Sequence, residues 1–218
     1  MMKHSIKSLL FLFIVLLIFV QPAQANQEQQ WKFKVFLDDR SIGYHNFRLI
    51  PQGNNGRELQ SSASFDVKFL FFTAYRYRHN DTEVWRGDCL QRIEARTNDN
   101  GRQYIVRGNR NSKGFEIENS DNAEITLSGC VKTFAYWDPS ILKARKLLNS
   151  QTGEIVDVRV EALGEETVPV RGRPVRANRY RLHSELGEID LWYAVDGYQW
   201  LALQSTTDSG RKLSYRMY

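Results

Sequence analysis

The chain has 218 residues, 42% of them hydrophobic and 25% charged, with a formal net charge of +5 and two cysteines. That length suits one domain of the larger all-β kind behind an export signal. The charge is too mild to imply a nucleic-acid partner, and two cysteines are too few for a disulfide framework.

Residues 1–25 carry Lys3 and Lys7, an unbroken apolar run from Leu9 to Val20, then Pro22 and Ala23-Gln24-Ala25. A basic start, an apolar middle and an A-x-A end form a secretory signal peptide, expected to be helical and to be cleaved after Ala25. A membrane anchor is the rival, but the run has 12 residues, whereas a spanning helix takes ~20. Removing 25 of the 218 residues leaves a single domain, 26–218, of 193 residues with net charge +3, because two lysines and no acids are lost. No later run is long enough to span a bilayer as a helix, so a periplasmic protein without a stable membrane span is expected.

From residue 31 the dominant period is two. Trp31, Phe33, Val35 and Leu37 alternate with Lys32 and Lys34, the pattern of a half-buried strand. Turn residues 38–43 separate it from a second strand at 44–49, which ends at Pro51-Gln52-Gly53-Asn54-Asn55-Gly56. From Leu59 to Tyr77 the alternation is sustained, with both parities apolar around Leu70-Phe71-Phe72. A long strand with a covered stretch or a bulge is expected there, as in a curved sheet. Further strands are predicted at 82–97, 102–109, 113–118 and 123–128, the first two joined by Asn100-Gly101 in a tight hairpin. Later strands are expected at 154–163, 174–184, 187–194, 198–206 and 211–217.

Between the two runs lies a different text, Phe134-Ala135-Tyr136-Trp137-Asp138-Pro139 and then Ile141, Leu142, Ala144, Leu147 and Leu148. Asp before Pro is a helix start, so a short α-helix over about 139–148 is predicted, docked on the sheet. The expected architecture is all-β: a strongly curved antiparallel β-barrel or half-barrel with that one helix. Phe134, Tyr136 and Trp137 are read either as a core plug or as one wall of an apolar ligand cavity.

Cys89 and Cys130 both lie in the exported part. In an oxidising compartment they can form one disulfide; the alternative is two separate buried thiols. No metal site is expected, because neither CxxC nor HxxxH occurs and His45, His79 and His183 are far apart in sequence. No cofactor motif is read. Asp38-Asp39 with His45 is weighed as an acid–base group and set below a solvated turn. Trp85-Arg86-Gly87-Asp88-Cys89, read as a strand, places Arg86 and Asp88 on one face, as a ligand contact or as an ion pair. Arg171 to Arg181 holds five arginines in 11 residues. In an exported protein that stretch fits an anionic lipid head group better than nucleic acid, with a cross-strand-paired face as its ordinary reading.

The segments 33–45, 65–72, 85–90, 134–139 and 147–154 resemble an uncharacterised family of exported proteins of Gram-negative bacteria, catalogued as a domain of unknown function. The chain is also similar, at the level of fold, to periplasmic lipoprotein carriers, in which a curved sheet wraps an apolar cavity. The expectation is a non-enzymatic periplasmic protein that binds or carries a lipid-like or other amphiphilic ligand. Phe134, Tyr136, Trp137, Trp85, Arg86 and Asp88 are its candidate contacts. The alternatives are an assembly factor of the envelope with a filled core, and a hydrolase-type enzyme.

Overall fold

The computed structural model describes residues 27–69, 72–120 and 124–218; the predicted signal peptide lies outside them. Eight strands follow one another as antiparallel hairpins: β1 (Gln29–Leu37), β2 (Arg40–Gln52), β3 (Gly56–Phe69), β4 (Phe72–Arg86), β5 (Cys89–Asp99), β6 (Arg102–Arg110), β7 (Phe115–Asn119) and β8 (Glu124–Leu127). A connecting segment carries a small separate hairpin, β9 (Lys146–Leu148) with β10 (Ile155–Asp157). Five more strands complete the chain: β11 (Arg159–Val170), β12 (Arg173–Ser184), β13 (Gly187–Ala194), β14 (Trp200–Thr206) and β15 (Lys212–Met217). β15 pairs with β1, so the two runs fuse into one 13-stranded antiparallel sheet running from β11 to β8.

The sheet is rolled. Leu186, in the turn before β13, and Ile189 of β13 line the same small cavity as Tyr77 and His79 of β4. Six strand spacings separate β13 from β4 in the sheet, roughly 29 Å in a flat one at ~4.8 Å per strand, so the sheet must curl to bring them together. Alternation decides which face turns inward: Trp31, Phe33, Val35 and Leu37 are buried on β1 while Lys32 and Lys34 are exposed. Glycine permits close approach between neighbouring strands at two points. A Cβ on Gly43 would meet the Ser64 carbonyl oxygen at 1.8 Å, and one on Gly108 would meet Phe115 at 2.6 Å. Both edge strands are blunted against further pairing. β8 has four residues, and β11 carries Pro169 and several glutamates.

Three expectations are corrected. The run predicted as one strand from Leu59 to Tyr77 is a hairpin, with Phe69 paired to Phe72 and a register shift at Val67/Lys68. The sequence there gives no turn signal; Leu70 and Phe71 lie outside the described residues. The predicted helix over 139–148 is a five-residue 3-10 turn, Pro139–Lys143, followed by β9. Asp138 does cap it, accepting from the Ser140 N–H at 2.9 Å. Beyond it, Leu147 and Leu148 are both fully buried. A helix so short is marginal alone, and the Leu148 N–H is bound instead to the Lys132 carbonyl at 2.8 Å. Finally, Gly87 and Asp88 form the β4–β5 turn, with Gly87 at φ +55°, so Arg86 and Asp88 do not share a strand face.

The connecting segment lies on the inner side of the roll. Val131, Thr133, Ala135 and Trp137 are buried in alternation, and the Leu90 N–H donates to the Val131 carbonyl at 2.9 Å. Cys89 and Cys130 are bridged, with Cα atoms 5.0 Å apart, which fixes the entry of this segment against the start of β5.

Candidate ligand cavity

Inside the roll is a cavity of about 260 Å³. One wall is the connecting segment, through Thr133, Phe134, Ala135, Tyr136, Trp137 and Asn149 to Gln151; the other is the inward face of β2, β3 and β4 with Tyr215 of β15. Leu186, 54% exposed in the β12–β13 turn, marks the side facing solvent. At the opposite end Trp85 and Trp137 meet edge to face with ring centroids 5.6 Å apart, and the Arg57 guanidinium lies 4.6 Å over the Trp137 ring. Arg57 also donates to the Gly87 carbonyl at 2.6 Å and stands 3.5 Å from the Asp138 carboxylate, binding the turn, the indole and the cap together.

The wall contributed by β4 is unusual. Tyr77, His79, Asp81 and Glu83 occupy successive inward positions, and all line the cavity. Asp81, Glu83 and His79 are at most 7% exposed. His79 Nδ1 is 2.8 Å from the Thr97 hydroxyl, and its Nε2 is 3.5 Å from Asp81 Oδ2. Asp81 Oδ1 has no hydrogen-bond partner. Glu83 accepts from the Trp85 indole N–H at 2.9 Å. Burial first, and the neighbouring Asp81 second, push the Glu83 carboxyl well above its ordinary range. Among the described residues no Lys or Arg lines this cavity.

On the neighbouring strands of the same wall, His45 Nε2 is 2.8 Å from the Ser61 hydroxyl and Nδ1 is 3.2 Å from the Tyr215 hydroxyl. Burial, and then His79, hold His45 well below its ordinary value, so its ring is neutral. A hydroxyl beside an imidazole is the first half of a nucleophile–base pair. No acid orients the ring here, and β2 and β3 are paired on both sides, so their backbone N–H groups are committed to the ladder rather than to an oxyanion. The trio is better described as a satisfied polar layer in the core.

Of the sequence-predicted contacts, Phe134, Tyr136 and Trp137 line the cavity. Trp85 is buried one layer beneath it, reaching it through Glu83. Arg86 is exposed, and Asp88 stands at 3.6 Å from Lys132 on an outer rim groove shared with Arg57 and Trp137. Asp38 and Asp39 do not meet His45: Asp38 binds the Lys212 N–H and Arg211, and Asp39 binds Arg216. Arg176, Arg179 and Arg181 are tied across strands to Glu165, Asp190 and Glu188, and Arg179 stands 5.2 Å over the Trp192 ring. Asp81 and Glu83 went unread in the sequence, and His79 was weighed only as a metal ligand. The available signal was polar residues at every second position, in phase with Tyr77 and Trp85, where a core strand should be apolar. Among the described residues no group of three His, Cys, Asp or Glu side chains is placed to hold a metal ion.

No curated protein matches the chain. Among solved structures it is similar to a β-barrel-like protein of a different domain of unknown function, DUF1849, from Brucella abortus. That match has a TM-score of 0.64 and 9% identity, over 90% of this chain and 97% of the other. At that identity the likeness concerns the fold alone. Residues 33–218, which include every strand from β2 to β15, match the family described as "Domain of unknown function (DUF6134)", and the chain belongs to that family.

Proposed function

We propose that the protein binds and carries a small, single-chain amphiphile in the periplasm, without covalent chemistry. The observation that carries this reading is unfilled volume: about 260 Å³ remains inside the roll although the surrounding layers are packed with Trp85, Trp200, Tyr193 and Phe33. That volume lies just under the ~300–1,000 Å³ of ordinary ligand sites, so it suits one short chain with a head group and is too small for a diacyl lipid. Phe134, Tyr136 and Phe47 offer apolar contact, while the β4 wall offers polar contact at the same depth. The Cys89–Cys130 bridge supports an oxidising compartment. An anionic head group is better placed outside the cavity, since carboxyls and no cations line it.

The test is native mass spectrometry of the protein purified from the periplasm, followed by organic extraction. A bound species with the mass of a single-chain amphiphile is expected. Absence of any such mass, together with no thermal stabilisation by added short-chain alcohols, acids or amines, would leave the structural role as the better account.

A further inference from the structure

The character of the cavity's polar wall narrows the ligand further, on the reading that the cavity is a binding site. Asp81 and Glu83 line it, each more than nine-tenths buried, and Asp81 Oδ1 is buried without a hydrogen-bond partner. A buried carboxyl oxygen left without a donor is costly: among the described residues no Lys or Arg lines the cavity, the indole N–H of Trp85 is spent on Glu83, and His79 Nε2 stands 3.5 Å from the other oxygen, Asp81 Oδ2. The other titratable groups facing this space are His45, His79, Tyr77, Tyr136 and Tyr215. His45 is neutral, and the three hydroxyls are held un-ionised by burial. The aromatic rings of Tyr77, Phe134 and Tyr136 surround the same volume, and the faces of such rings attract cations. Missing charge and missing donors therefore coincide in one place, walled by π-systems.

We propose that the polar end of the ligand is a cation with N–H donors, a primary or secondary alkylammonium group, held by Asp81 and Glu83 with its chain against Phe134 and Tyr136. An ammonium supplies the donor that Asp81 Oδ1 lacks, and its charge is met by Asp81 in a medium where ion pairing is strong, while Glu83, kept protonated by burial and by Asp81, accepts a second N–H. A carboxylate head would meet two acids and no cation; an alcohol would satisfy hydrogen bonds without the charge.

Three probes of equal chain length separate the possibilities: n-octylamine, n-octanol and n-octanoate, titrated calorimetrically into the full exported chain at neutral pH and 0.15 M salt. Octylamine is expected to bind at least tenfold more tightly than octanol, with octanoate weakest. Asp81→Asn and Glu83→Gln, made singly and together, are expected to remove the amine preference and to keep octanol binding. Near-UV circular dichroism reports whether each variant keeps its fold, and the wild-type probe series stands on its own if one does not. Equal binding of amine and alcohol, or tighter binding of octanoate, would overturn the cationic specificity and leave the cavity reading intact. Failure of all three to bind would overturn the cavity reading itself.

Discussion

At the scale of single residues the interior of β4 is at odds with its surroundings. Glu83 and His45 line the same cavity with opposite responses to pH. The Glu83 carboxyl is raised above its ordinary 4.5 by burial and by Asp81. The folded chain therefore holds a proton that the unfolded chain has already released, so stability present below pH 4.5 is lost as pH rises toward the folded value. His45 is depressed below its ordinary 6.5 by burial and by His79. There the unfolded chain takes up a proton that the folded chain refuses, and stability is lost as pH falls below 6.5. Glu83→Gln should flatten the upper limb. The melting temperature of the variant minus that of the wild type is expected to grow from pH 4.5 upward, each pH unit in the interval being worth about 1.4 kcal/mol. Thermal melts between pH 4 and 8 measure this, and a constant difference would show that Glu83 titrates normally.

At the scale of elements, close approach matters more than propensity. Gly108 of β6 has no side chain because Phe115 of β7 and Ile93 of β5 fill that space, at 2.6 and 2.9 Å from where a Cβ would sit. Gly108→Ala is expected to cost ~1–3 kcal/mol by overpacking, read as a lower urea midpoint with an unchanged slope. The segment after Asp138 makes the same point. Its cap was legible, because Asp before Pro satisfies a helix start by local chemistry alone. Its continuation was not, because Leu147 and Leu148 are both buried and the Leu148 N–H is claimed by Lys132. A helix would have turned one of those two leucines away from the core and spent that N–H within itself.

At the scale of the whole molecule, β15 closes on β1, and the connecting segment must pass from the β8 edge to the β11 edge through the roll. The disulfide secures the start of that passage. Its cysteines are 41 residues apart, and closing a loop of that length restricts the unfolded chain by about 4 kcal/mol in the chain-entropy account. Replacing both cysteines by alanine is expected to lower unfolding free energy by 2–5 kcal/mol in that account, measured by chemical denaturation of the variant beside the oxidised wild type. A loss below ~1 kcal/mol would mean that the segment docks without the bridge.

The amino-acid sequence alone specified the antiparallel strands, the inward parity of most of them and the start of the connecting turn, and it allowed the disulfide. Each of these depends on neighbours within a few residues or, for the disulfide, on the presence of just two cysteines in the chain. Phe134, Tyr136 and Trp137 were found for the same reason, as a cluster that breaks a β pattern. Tertiary structure decided the rest. The sequence carries no local turn chemistry where β3 hands over to β4, and Asp81 lies inside only because β3 and β4 pair as they do. The volume behind Trp137 exists only because a 13-stranded sheet curls over one inner segment. A cavity is a difference between two packed surfaces contributed by distant residues, and no local pattern encodes that difference.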